Sequence, residues 1–90
     1  MTATFESVWS RIVEHAGEAF YQIKGGIFHY RVDGARLVLD RTDQALSRAQ
    51  LENAHALCPL SDTTKLQDDF RGPSYIFAIL MDGRIRGTDW

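Results

Sequence analysis

Apolar residues recur at helical spacing from the beginning of the chain. Phe5, Val8, Trp9, Ile12, Val13 and Ala16 form one stripe, with Glu6, Ser7, Ser10, Arg11 and Glu14 opposite. This spacing predicts an amphipathic helix that packs on something. Thr4 suits the N-cap, Gly17 suits the end, and His15 flanks the stripe at its rim.

The pattern then changes to strand-like alternation, punctuated by Gly25-Gly26 and Asp33-Gly34. Each dipeptide suits a two-residue hairpin loop, because glycine and Asp accept positive φ. Such a loop at Asp33-Gly34 sets Val32 opposite Ala35, Arg31 opposite Arg36, Tyr30 opposite Leu37 and Phe28 opposite Leu39. One at Gly25-Gly26 sets Ile23 opposite Phe28, Tyr21 opposite Tyr30 and Ala19 opposite Val32. Both registers gather Ala19, Tyr21, Ile23, Phe28, Tyr30, Val32, Ala35, Leu37 and Leu39 on one uncharged face. A one-residue slip in either hairpin would break that agreement. The expectation is a three-stranded antiparallel meander over residues 18–40, with the first helix on its apolar face.

The second half reads as helical. Ser47 and Gln50 make a capping box, and Leu46 with Leu51 makes a hydrophobic staple. That helix is expected to run to about Leu57 and stop before Pro59. Ser61-Asp62 can cap a short helix carrying Leu66 and Phe70. The apolar run over residues 75–81 is a buried helix or a central strand, and periodicity does not separate the two. Pro73 fits a first helical position behind Gly72. Ala78, Leu80 and Met81 lean to helix, Ile76, Phe77 and Ile79 to strand, and helix is the reading taken. The fold class is α+β: an N-terminal helix packed on a three-stranded antiparallel β-meander, followed by two or three helices, in one domain of residues 1–90.

Composition narrows the partners. A chain of 90 residues with 44% hydrophobic content and a net charge of -2 is one globule, not a basic nucleic-acid binder overall. Eight of the ten basic residues are Arg, which suits fixed, bidentate contacts. The single Cys58 allows no internal disulfide, which points to a reducing cytoplasm. No apolar run is long enough to span a membrane, and no secretory signal opens the chain. A cytoplasmic location without a membrane partner is expected.

Chemistry-bearing clusters are sparse. His55 and Cys58 fall on one helix face as half of a metal site, but nothing completes a known ligand spacing. The same pair is the nearest approach to an activated nucleophile, without a matching signature. No metal, no cofactor and no catalytic residue is assigned.

The outer face of the meander holds more. Phe20, Gln22, His29, Arg31 and Arg36 would share it, with Arg31 directly opposite Arg36. An aromatic ring beside guanidinium groups can stack bases and hold phosphates, or grip an acidic protein segment. Phe20, Ile27 and Val38 on the same face suggest partial cover by the C-terminal half, or a subunit interface. A second candidate is the start of the Gly72-Pro73-Ser74 element, where Arg71 and Ser74 could receive an anion. The leading expectation is a small non-enzymatic binding or accessory module acting through protein contacts, with a protein partner or a homodimer. The alternative is a nucleic-acid-binding module using the outer sheet face. The third is a small enzyme or anion-ligand binder at the Gly72-Pro73-Ser74 junction.

The run Gly26-x-Phe28-x-Tyr30-x-Val32-x-Gly34, the Leu46-Ser47 helix start, Arg71-Gly72-Pro73-Ser74-Tyr75, Ala78-Ile79-Leu80 and Arg84-Ile85 resembles small bacterial proteins of unknown function. Some of these travel on mobile elements, including integron gene cassettes. The resemblance implies a stand-alone cytoplasmic protein and carries no known activity and no catalytic residues.

Overall fold

The structure is a computed structural model that describes residues 4–22, 25–41, 45–58, 60, 66, 72–87 and 90. It begins with helix α1 (Phe5–Glu14), whose N-cap is Thr4. The Thr4 hydroxyl accepts from the Ser7 amide, as the sequence pattern requires. Phe5, Val8 and Ile12 are buried, whereas Val13 and Ala16 of the expected stripe stay exposed. Gly17 follows with φ +88°, and its amide donates to the Tyr30 carbonyl at 2.9 Å. That left-handed turn brings the chain from the helix onto the sheet, and glycine adopts it without a steric cost.

Strands β1 (Phe20–Tyr21) and β2 (Ile27–Phe28) form an antiparallel pair. Strands β3 (Tyr30–Asp33), β4 (Arg36–Leu39) and β5 (Ala45–Ser47) form a three-stranded antiparallel sheet in that order. The fold is therefore α+β with a three-stranded antiparallel meander, but the strands of that meander are β3, β4 and β5. β2 runs almost directly into β3, and exposure alternates along residues 27–33, so Phe28 and Tyr30 point inward.

Both hairpin registers differ from those expected. Asp33 pairs with Arg36, so the second loop is Gly34-Ala35. Gly34 has φ +61° and Ala35 does not have a positive φ, which is the pattern of a type II′ turn with glycine first. Asp33 stays in the strand. The shift is two residues, an even number, so Tyr30, Leu37 and Leu39 still face the core.

The first hairpin shifts by an odd number. Phe20 pairs with Phe28 and Tyr21 with Ile27. The Gly25 amide donates to Gln22 O at 2.9 Å, and the Gln22 amide to Gly26 O at 2.8 Å. Three residues thus separate Gln22 from Gly26, and Gly25 at φ +90° closes the loop as its left-handed third residue. The faces invert: Phe20 is fully buried, and Tyr21 points outward at 60% exposure.

Helix α2 (Arg48–His55) begins where the capping box places it, with the Ser47 hydroxyl accepting from the Gln50 amide at 3.1 Å. Ser47 also ends β5, and Leu46 and Leu51 are both buried. The expected helix after Ser61-Asp62 lies outside the described residues, except for Leu66, which is buried. The ambiguous apolar run resolves as helix α3 (Pro73–Leu80), with Pro73 at its start and Gly72 in a left-handed conformation before it. A short helix α4 (Gly83–Arg86) follows, capped by Asp82.

One core joins these elements. Val8 and Ile12 of α1 belong to the same buried cluster as Phe20, Phe28, Tyr30 and Leu37 of the strands and Leu51, Ile76, Ile79 and Ile85 of the other helices, and α1 lies against α2 and α4. α3 is apolar almost all round, and it touches α2, α4 and β1. The Tyr30 hydroxyl donates to the Ile12 carbonyl and ties α1 to the sheet. Burial raises the Tyr30 pKa above its ordinary value, which keeps the hydroxyl a donor. Among the described residues, no helix is long and apolar enough to cross a membrane.

Candidate functional site

The outer face of the strands is built by alternation. Ile27, His29, Arg31 and Asp33 follow one another on one side of the run from β2 to β3, all exposed. Opposite them stand Tyr21 on β1, and Asp40, Val38 and Arg36 on or just beyond β4. The expected face therefore exists, but its membership changes.

Phe20 is not on it. The ring is buried between Phe28 and Tyr30, with centroids at 6.0 and 5.1 Å. Gln22 is partly buried and donates its side-chain amide to the Ser74 hydroxyl at 2.9 Å. Arg31 and Arg36 are not opposite one another: Arg31 faces Val38, and Arg36 faces Asp33. Arg36 pairs with Asp33 at 3.1 Å. The repulsive pair expected from a two-residue Asp33-Gly34 loop does not form, because the register moved by two.

His29 is held at two points. Asp40 accepts from the His29 amide through Oδ1 at 2.8 Å and meets the ring Nδ1 through Oδ2 at 3.0 Å. The backbone hydrogen bond from His29 lowers the Asp40 pKa, with a smaller lowering from the ring. An ionised carboxylate only accepts, so Nδ1 is the donor in this contact. Beside this pair lies an open groove of about 280 Å³ whose lining includes His29, Arg31, Val38 and Asp40. Two of the five expected face residues, His29 and Arg31, thus share one concavity.

Arg71 of the second candidate lies outside the described residues. Ser74 is engaged by Gln22 and is a fixed partner within the fold.

Sequence reading missed Arg84. Its guanidinium lies 4.0 Å from the Phe20 ring centroid. It donates to both carboxylate oxygens of Asp82, to Glu18 Oε1 at 2.9 Å and to the Ala19 carbonyl at 2.7 Å. Glu18 in turn meets His15 Nδ1 at 2.8 Å. Arg84 holds the Asp82 carboxyl below the usual range, and His15 and Arg84 together do so for Glu18. These bonds use four of the five N–H donors of Arg84, so the network acts as a clasp.

Folded-state carboxyl pKa values below those of the unfolded chain favour the fold at neutral pH. That contribution is complete above the unfolded carboxyl value, about 4, and is lost as pH falls through the lower folded values. Urea unfolding at pH 7 and pH 3 is expected to show a smaller acid loss for Asp82→Asn than for the parent. Equal losses would remove Asp82 from the account.

Arg48 places its guanidinium over the Phe5 and Trp9 rings at 5.6 and 5.7 Å. His55 packs edge-on against Trp90 at 4.9 Å. Burial pushes the Cys58 thiol up to about 11, which leaves it a poor nucleophile at neutral pH. Among the described residues, no group of three His, Cys, Asp or Glu side chains could hold a metal ion. The resemblance to cassette-type bacterial proteins rests on its sequence motifs alone: no family model matches the chain, and no curated protein and no solved structure matches it.

Proposed function

We propose that this chain is a small non-enzymatic binding module that works through protein contacts and pairs with a second copy of itself through the outer face of β1 and β2. The observation behind this reading is the cross-strand pair of Tyr21 and Ile27, exposed at 60% and 50%. Two large apolar side chains side by side on a hairpin gain free energy when covered, and neighbouring cross-strand positions present them together. A two-fold interface would set the same pair from each copy in contact.

The alternative, nucleic-acid binding, would use the same face. Phe20, the ring that would stack a base, lies buried beneath it. An anion site at Gly72-Pro73-Ser74 would need Ser74 to leave Gln22.

The patch is small, so self-association is expected only in the range of tens to hundreds of micromolar. Sedimentation across that range should show a dimer for the parent and a monomer for Tyr21→Ser and Ile27→Ser. A parent that stays monomeric at several hundred micromolar would end the homodimer reading.

A further inference from the structure

The face that carries Tyr21 and Ile27 continues into three further cross-strand rungs. The rung at one end is His29 with Asp40, and the rung at the other is Asp33 with Arg36. Each joins a basic group to an acid at 3.0 and 3.1 Å. Between them, Arg31 stands opposite Val38, and Val38 stands opposite Ala45 of β5. The middle rung therefore pairs a guanidinium with aliphatic groups. Arg31 is exposed, and no ion pair joins it to another described residue. The groove of about 280 Å³ opens beside it.

We propose that the Arg31–Val38 rung receives one carboxylate side chain of a partner protein, flanked in the partner's sequence by apolar residues. This rests on the protein-contact reading above and names the chemistry of the partner. The planar guanidinium matches a carboxylate through two parallel hydrogen bonds. Val38 and Ala45 offer aliphatic surface to the flanking side chains. Asp33 and Asp40 define the limits of the site. Each lies one rung away, closed by its own basic partner, and each disfavours a second negative charge beside the first. A single carboxylate fits between them, whereas a chain of phosphates would run across both. One open guanidinium also supplies too little charge for the salt-dependent grip that nucleic acids require. The occupant is therefore a protein segment with an isolated acid.

The test is a titration of the whole ¹⁵N-labelled protein with a blocked pentapeptide holding one glutamate between two leucines. A glutamine counterpart and a single-stranded DNA oligomer at low salt are the other two probes. With the glutamate peptide at millimolar concentration, the amides of Arg31, Val38 and His29 should shift together and saturate. The glutamine peptide should bind about tenfold more weakly, since a charge-assisted bidentate contact is lost. Arg31→Gln, an exposed substitution that leaves the core untouched, should erase the difference between the two peptides. Equal binding of both peptides, or an unchanged preference in Arg31→Gln, would overturn the proposal. So would an oligomer that shifts the same amides more strongly, which would give this face to nucleic acid. The outcome is separable from that of the homodimer, because self-association is read by sedimentation at Tyr21 and Ile27 with no peptide present.

Discussion

Phe20→Ala is expected to cost about 3–5 kcal/mol of stability, the range for removing a fully buried aromatic ring. Tyr21→Ala, one residue along, should change stability far less. The contrast comes from loop length. With three residues between Gln22 and Gly26, Phe20 faces Phe28 across the strands and Tyr21 faces solvent with Ile27. Phe20 also lies under the Arg84 guanidinium, so the substitution removes a cation–π contact as well as apolar burial. A domain of this size has a total stability of roughly 5–15 kcal/mol, so the variant should sit near or below its unfolding threshold. Denaturant unfolding, with circular dichroism to report residual folding, measures both variants. A large loss for Tyr21→Ala with a small one for Phe20→Ala would reverse the register of the first hairpin.

Arg84→Ala is expected to cost about 2–3 kcal/mol. The side chain is 30% exposed, so solvent screens part of its attraction to Glu18 and holds the figure below that of a fully buried pair. What remains is the loss of several charge-assisted hydrogen bonds, and the Ala19 carbonyl loses its guanidinium donor. Arg84→Lys should recover less than half of the loss. An ammonium cannot reach Asp82, Glu18 and the Ala19 carbonyl with one planar fork, nor lie flat on Phe20. Full recovery by lysine would mean that charge alone matters at this position. In a double-mutant cycle, Arg84→Ala and Glu18→Ala should be non-additive, because they share one network.

The parts of the fold that sequence could foretell are those decided locally. The α1 stripe with its Thr4 cap needs only helical spacing and one hydroxyl. The Ser47–Gln50 cap of α2 likewise lies within four residues. Pro73 behind Gly72, with Ala78, Leu80 and Met81 in the run, favours a helix over a strand for α3. The second hairpin kept its faces because its register moved by an even number. The first hairpin did not, since adjacent glycines read naturally as a two-residue loop when only Gly25 closes a three-residue one. β5 was hidden because three residues show no resolvable alternation before a strong helix cap. Arg84 was hidden for a different reason: Glu18 and Ala19, two of its partners, lie 66 and 65 positions away. Nothing in periodicity or capping reports a contact at that separation. Of the outer face, His29, Arg31 and Arg36 were legible from alternation. Their true neighbours were not, because those depend on register.

The three-residue loop between Gln22 and Gly26 also bears on how this stretch can vary among related sequences. An exchange of side chains there leaves the pairing of Phe20 with Phe28 in place. Gaining or losing a single residue would swap the inner and outer positions, and a gain would put Tyr21 in the place of Phe20 beneath Arg84. Selection here would then act on the number of residues before their identity, and relatives should tolerate altered loop residues more readily than an altered loop length.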